Sequence, residues 1–182
     1  MDRVLVTGGC GFIGRCLVKE LLQEGYRVRV LDALIEQVHG AEPPREIAGA
    51  EFIRADVRDA DAVREALQGV EGVFHLAAEV GVGQSMYEIT RYVDVNDVGT
   101  ATLLEAMIKK PPRRLVVASS MSVYGEGLYE TPTGRRVGNA RRQPSRIKEG
   151  AWDLTDGGEP LRPIPTDEEK PVDLASIYAL TK

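Results

Sequence analysis

Thr7-Gly8-Gly9-Cys10-Gly11-Phe12-Ile13-Gly14 is the stretch on which the fold turns. It sets Gly8-x-x-Gly11-x-x-Gly14 between a short apolar run at 3–7 (RVLVT), the length of a buried strand, and a helical pattern at 12–24. In that pattern Ile13, Leu17, Leu21 and Leu22 recur at the helical period, Arg15, Lys19, Glu20 and Gln23 fill the positions between, and Gly25 stands where a helix stop is expected. A second strand follows at 27–31 (RVRVL). Strand, glycine loop, helix and strand in this order imply a right-handed crossover and a parallel sheet. A phosphate at such a loop needs backbone N–H groups aimed at it and no side chain in the way. Gly8 permits the tight turn, Gly11 permits close approach of a pyrophosphate, and Gly14 lets helix and strand pack closely. Phe12 and Ile13, at the start of the helix, complete the set of expected dinucleotide contacts.

Working outward, residues 33–50 contain Pro43 and Pro44 and read as a loop with a short helix. A third strand is expected at 51–54, a helix at 59–68, a fourth strand at 72–76 and one long helix at 85–109, with Leu103, Leu104 and Met107 toward the core. Pro111 and Pro112 end that helix, and a fifth strand lies at 114–118. Regular alternation of strands and helices argues for an α/β, doubly wound parallel sheet. Asp32 closes the second strand. A carboxylate there accepts from adenosine ribose hydroxyls and repels a 2′-phosphate, which favours NAD over NADP; the other reading is an aspartate that caps a loop. Residues 126–171 are rich in proline, glycine and charge and show no sustained period. Order returns near the end, with a helix from about Asp173. The expected division is a dinucleotide-binding domain at 1–125, an insertion at 126–171 and the start of a further helix at 172–182.

The chain has 182 residues, 43% of them hydrophobic and 28% charged, enough for one domain with its own core. Its formal net charge of -5 does not favour nucleic acid or anionic membrane as partner. No apolar run reaches the length of a membrane span, and the first residues lack the regions of a signal peptide. Cys10 and Cys16 fall in the glycine loop and the helix after it, a poor arrangement for a disulfide, so a reducing, cytoplasmic setting is expected. His39, in a loop, and His75, in the fourth strand, have no Cys or acid partner at metal-ligand spacing, so no metal site is expected.

The words TGGCGFIG (7–14), ADVRD (55–59), HLAA (75–78), VNDVGT (95–100), SSMSVYG (119–125) and Tyr178-x-x-x-Lys182 occur in an order that resembles the extended short-chain dehydrogenases/reductases, the NAD-dependent epimerase/dehydratase family. They cover nearly the whole chain apart from 126–171. The resemblance implies a Rossmann domain with NAD as cofactor, a nucleotide-diphosphate sugar as substrate and a homodimeric parent protein. It implies that Asp56 and Val57 contact the adenine, that Ala77 and Ala78 line the dinucleotide cleft and that Asn96 supports the site from the long helix.

It further implies a catalytic set of Ser120, Tyr178 and Lys182. Tyr178 and Lys182 are one turn apart, so a helix presents both on one face. A phenol titrates near 10, and lowering it by ~3 units needs about 4 kcal/mol of differential stabilisation of the phenolate. An ammonium one turn away supplies charge of the right sign. The family's proton-transfer group is then Tyr178; Lys182 lowers its pKa and also holds the nicotinamide ribose. Ser120, counted back from the Val-Tyr-Gly word, orients the substrate hydroxyl or carbonyl, with Ser119 and Ser122 as close neighbours.

Departures from the pattern narrow the activity. Sugar 4,6-dehydratases of the family carry Asp-Glu directly after the catalytic hydroxyl to eliminate water. Met121 and Ser122 stand there in this chain and cannot act as general acids. Epimerisation through a 4-keto sugar is the expected chemistry, with net sugar oxidation or a non-catalytic NAD-binding role as alternatives. The long stretch between Ser120 and Tyr178 resembles the dTDP-L-rhamnose 4-epimerase branch. It contains no cysteine for a zinc clip. Its Arg135, Arg136, Arg141, Arg142, Arg146 and Lys148 read either as contacts to a sugar-nucleotide diphosphate or as a solvated loop. Trp152 is expected to anchor this stretch to the core. Family members continue well past the Tyr-x-x-x-Lys helix, so the resemblance also implies a truncated chain that lacks a substrate domain.

Overall fold

The computed structural model describes residues 2–41 and 48–182. Five parallel strands form the central sheet in the order β3-β2-β1-β4-β5. They are β1 (Arg3–Thr7), β2 (Arg27–Asp32), β3 (Glu51–Arg54), β4 (Gly72–His75) and β5 (Arg114–Val117). The chain steps outward from β1 to β3 and then returns to place β4 on the other side of β1, so the strand order reverses between β1 and β4. A cleft opens at the carboxyl ends of the strands at such a reversal.

Both faces of β1 are covered, which is why it reads as a nearly unbroken apolar run. Val4, Val6, Val28 and Val30 pack with Val18 of α1 (Phe12–Gln23) on one face. Leu5, Leu31 and Val73 point the other way, onto Val63 and Ala66 of α3 (Ala60–Ala66) and onto Leu103 and Met107 of α6 (Gly99–Met107). Arg29 interrupts this second face with a buried cation. Its guanidinium donates to the carbonyls of Ala66 (2.7 Å) and Gln68 (3.1 Å) and to the Glu51 carboxylate (2.9 Å). It therefore satisfies the otherwise orphaned carbonyls at the end of α3 and favours that end of the helix dipole.

The short helix expected in 33–50 is α2 (Glu36–His39). Pro43 and Pro44 lie outside the described residues. The helix expected at 85–109 is divided. A separate turn, α4 (Val82–Ser85), comes first; α5 (Ile89–Tyr92) then passes through a wide π-helical segment, Val93–Val98, into α6. Such an inserted turn re-aims side chains and is frequent at functional sites; here it contains Asn96. Leu104, expected in the core, is 46% exposed, while Leu103 and Met107 are buried.

Residues 126–171 contain short elements whose periods are too brief to read in the sequence. β6 (Leu128–Glu130), β7 (Arg136–Val137) and β10 (Arg162–Ile164) form an antiparallel sheet in the order β10-β6-β7. β8 (Thr155–Asp156) and β9 (Glu159–Pro160) form a hairpin, and α7 (Pro144–Lys148) precedes it. Val137, Ala140, Leu154 and Leu161 build a small apolar cluster of their own, with Tyr129 against it. Trp152 takes no part in that cluster. It is 60% exposed, so it does not anchor the stretch; its carbonyl accepts from Arg142.

The last helix, α8 (Ile177–Leu180), begins later than the expected Asp173. The reason is that Asp173 is engaged elsewhere. Its N–H donates to the Val123 carbonyl (2.7 Å) and its carboxylate pairs with Arg141. Ser176 then caps the helix, accepting from the Ala179 N–H at 3.0 Å.

The tightest steric demand in the fold is at Gly14. A Cβ there would lie 2.3 Å from the Gly8 carbonyl oxygen and 2.6 Å from Gly9 Cα, both backbone atoms of the turn. Gly14→Ala is expected to lower unfolding free energy by roughly 2 kcal/mol or more in urea titrations. Gly83→Ala, in exposed α4 with no atom within 4 Å of the added Cβ, is expected to be neutral or up to about 1 kcal/mol stabilising.

Candidate cofactor and active site

The cleft at the strand ends holds a cavity of about 370 Å³. Gly8, Gly11, Phe12, Ile13 and Gly14 line it at one wall. Gly8 has φ 68°, and a Cβ there would stand 2.7 Å from the Ala77 N, so the turn is pressed against the end of β4. Gly11 is different: a Cβ would meet only the Gly8 oxygen, at 3.3 Å, and would otherwise occupy open space at the cavity wall. Gly11 is also the residue before α1, with no side-chain cap and no acid in the first turn. The first amides of α1 therefore have no internal acceptor, and a helix start with free N–H groups favours an anion. Phe12 and Ile13, 92% and 65% exposed, stand beside this opening rather than in the core.

Asp32 sits farther along the same cavity, almost fully buried. Its Oδ2 accepts from the Cys10 N–H and its Oδ1 from the Leu34 N–H, both at 2.9 Å. Asp56 and Val57 line the wall next to it. The Arg58 guanidinium grips the Asp56 carboxylate (2.7 Å) and holds it below the usual carboxylate range. Ala77, Ala78, Tyr178 and Lys182 line the same cavity. Burial pushes the Lys182 amine down from its ordinary value.

Ser120 is not among the lining residues; Ser119 is. Ser120 Oγ accepts from the Ser122 N–H (3.1 Å) at the head of the 3₁₀ turn Met121–Tyr124, which leaves its proton available to donate. Ser119 Oγ donates to the Lys182 carbonyl (3.0 Å). Asn96 does not line the cavity either. It is buried beneath it, where its Oδ1 accepts from the Glu79 N–H (2.8 Å) while Nδ2 donates to the Glu79 carbonyl (3.2 Å) and to Thr181 Oγ1 (3.0 Å). One amide thus ties the segment after Ala78 to the helix that carries Tyr178 and Lys182.

Several positioning residues carry no motif by which sequence reading finds them. The Tyr178 N–H donates to fully buried Ser85 Oγ (3.0 Å), and the Tyr178 ring meets Tyr92 edge to face with centroids 6.4 Å apart. His75 is a buried connector. Thr100 Oγ1 donates to the Asn96 carbonyl and so accepts from His75 Nε2–H at 3.0 Å; His75 Nδ1 accepts from Thr7 Oγ1 at 2.7 Å. The arginines of 126–171 are largely spoken for as well. Arg135 pairs with Asp156, Arg136 with Asp167, Arg141 with Asp173 and Arg142 with Glu126, which leaves less charge for a diphosphate than the sequence suggests.

The model of the NAD dependent epimerase/dehydratase family matches residues 4–145. The chain belongs to that family. It is 36% identical over 187 residues to a dTDP-L-rhamnose 4-epimerase of Burkholderia thailandensis, a match that covers 99% of this chain and 50% of the relative. It is 40% identical over 127 residues to a UDP-glucose 4-epimerase of Streptomyces lividans, covering 68% of the chain and 37% of the relative. Among solved structures, the Thermus thermophilus UDP-glucose 4-epimerase in complex with NAD superposes with a TM-score of 0.70 at 31% identity, covering 99% of this chain and 47% of that one. The Thermotoga maritima UDP-glucose 4-epimerase with UDP-glucose gives 0.73 at 27% identity, with the same coverage. The chain therefore spans about half the length of the relatives it matches. The family is NAD-dependent, and the cavity fits that cofactor: a side-chain-free turn and open helix start for a pyrophosphate, with a buried carboxylate on one side and a Tyr–Lys pair on the other.

Burial and the nearby Lys182 charge push the His75 imidazole down to about 4. The unfolded chain protonates it near 6.5, so between about pH 6.5 and 4 the unfolded state takes up a proton that the folded state refuses. Stability is therefore present above that window and lost as pH falls through it, by about 3 kcal/mol at most. An NMR titration of the imidazole is expected to find it neutral at pH 6; a midpoint near 6.5 would contradict the hydrogen-bond assignment.

Proposed function

We propose that this chain is the cofactor-binding part of a nucleotide-sugar 4-epimerase, and that its catalytic residues are Ser120, Tyr178 and Lys182. The observation that carries the reading is that one cavity joins the open start of α1 to Tyr178 and Lys182. Its dinucleotide contacts are then Gly8, Gly11, Phe12, Ile13, Gly14, Asp32, Asp56, Val57, Ala77, Ala78, Tyr178 and Lys182, with Asn96 supporting the site. The 36% identity to a dTDP-L-rhamnose 4-epimerase over 99% of the chain supports a deoxysugar nucleotide as substrate. Met121 and Ser122, where acids would be needed for dehydration, support epimerisation over loss of water.

Gly8, Gly11 to Gly14, Asp32, Asp56 and Val57 would hold NAD, which would supply the hydride acceptor and donor for oxidation and re-reduction at the sugar C4. Tyr178 removes the C4 hydroxyl proton and later returns it. Lys182 lines the same cavity and would hold the nicotinamide ribose. The Ser120 hydroxyl, its acceptor side occupied by the Ser122 N–H, donates to the developing 4-keto oxygen. Ser85 and Tyr92 hold the phenol in place. No helix among the described residues is long and apolar enough to cross a membrane. A cytoplasmic setting and a homodimeric parent belong to the same reading, supported by two cysteines that form no disulfide and by the family resemblance.

The test is turnover of dTDP-L-rhamnose by the protein. Tyr178→Phe is expected to lower the rate of dTDP-L-rhamnose epimerisation at least about a thousandfold while the NAD Kd stays within about twofold. Release of stoichiometric NADH by the unaltered protein would instead establish a net dehydrogenase. NAD binding without turnover of any nucleotide sugar would establish a binding module.

A further inference from the structure

We propose that His39 is a cofactor-binding residue, whose Nε2–H acts together with the Asp32 carboxylate to hold a hydroxyl of the adenosine ribose of NAD. The proposal rests on NAD occupying the cavity described above. β2 ends at Asp32 and the chain then doubles back over it. Leu34, the single non-glycine residue with positive φ among those described, makes the turn at φ 52°. Its N–H donates to Asp32 Oδ1 at 2.9 Å, and a left-handed leucine is sustained only where its surroundings fix it. The short helix α2 then carries His39 back to the carboxylate that the turn has passed.

His39 lines the same cavity as Asp32 and the glycine turn, and its side chain is only 8% exposed. Its Nε2 lies 3.6 Å from Asp32 Oδ1. That is too long for a direct hydrogen bond, yet one hydroxyl oxygen can lie within hydrogen-bond reach of both atoms. A hydroxyl has what this pair asks of a ligand. It donates its proton to the carboxylate, which only accepts, and its lone pair accepts from the imidazole N–H. Oδ1 has capacity beyond its one backbone donor. A vicinal diol offers two such groups; a phosphate ester at the same place brings no proton for Asp32 and adds like charge beside it. Among the described residues no group of three His, Cys, Asp or Glu gathers to hold an ion. His39 thus complements Asp32 as a donor beside an acceptor, and the two together select the unphosphorylated ribose.

The experiment is calorimetric titration of the 182-residue chain with NAD and with its 2′-deoxyadenosine and 3′-deoxyadenosine analogues. His39→Ala is expected to weaken NAD about tenfold, the scale of one lost hydrogen bond. His39→Gln, which keeps an N–H donor, is expected to stay within about threefold of the parent. On at least one deoxy analogue, the effect of His39→Ala is expected to shrink below about twofold, because the hydroxyl that His39 meets is gone. If His39→Ala binds NAD as the parent does, or loses equally on all three ligands as a general disturbance of α2 would, the assignment is overturned. A parent chain that binds no NAD overturns the cofactor site itself, an outcome distinct from failure of His39 alone.

Discussion

The rest of the structure depends on a helix that begins without a side chain. α1 enters its first turn against the end of β1 so closely that only hydrogen fits at Gly14, and the residue before the helix offers no cap. Four amides at a helix start must find acceptors or water. Here the Gly11 N–H donates to the Gly8 carbonyl, while those of Phe12, Ile13 and Gly14, residues that line the cavity, have no acceptor in the turn. The same absence of side chains that permits the packing leaves these amides bare, so one constraint produces both the fold's tightest contact and an opening suited to an anion. The apolar faces of β1 and β2 serve this arrangement by fixing where α1 lies.

A second, polar construction links that end of the cavity to the other. Thr7 closes β1 and accepts from the N–H groups of Leu76 and Ala77 while it donates to His75. His75 reaches Thr100, Thr100 reaches the Asn96 backbone, and the Asn96 amide grips Glu79 and Thr181. Every donor in this run has an acceptor, which is what burial of so many polar groups requires. Asn96 lies in the π-helical segment, and the Thr100 hydroxyl one turn on donates to its carbonyl. Through these bonds Tyr178 and Lys182, far along the chain, are registered to the strand that precedes the glycine turn.

The parallel sheet, its five strands and α1 were legible because buried strands and an amphipathic helix write strong periods into the sequence. The glycine, Asp32, Asp56, Ala77 and Tyr178 positions were legible as motifs. What escaped the sequence was set by partners distant along the chain. Nothing local shows that His75 is a connector or that Ser85 receives the Tyr178 N–H. The two- and three-residue strands of 126–171 are too short to display alternation, and their arginines could not be assigned to Asp156, Asp167 or Asp173 by reading. The late start of α8 has the same cause: propensity favoured a helix from Asp173, but pairing with Arg141 and the Val123 carbonyl holds that residue extended. His39 was set aside as a loop histidine because its nearness to Asp32 depends on the turn at Leu34, which no period foretells.

The account comes down to the bare amides at the start of α1. Its most direct measurement is a titration of the 15N-labelled chain with NAD, followed at the backbone amides. Interaction with a pyrophosphate predicts large saturable shifts of Phe12, Ile13 and Gly14, together with slowed hydrogen exchange at those positions. Saturable shifts elsewhere in the chain with these three resonances unmoved would contradict it.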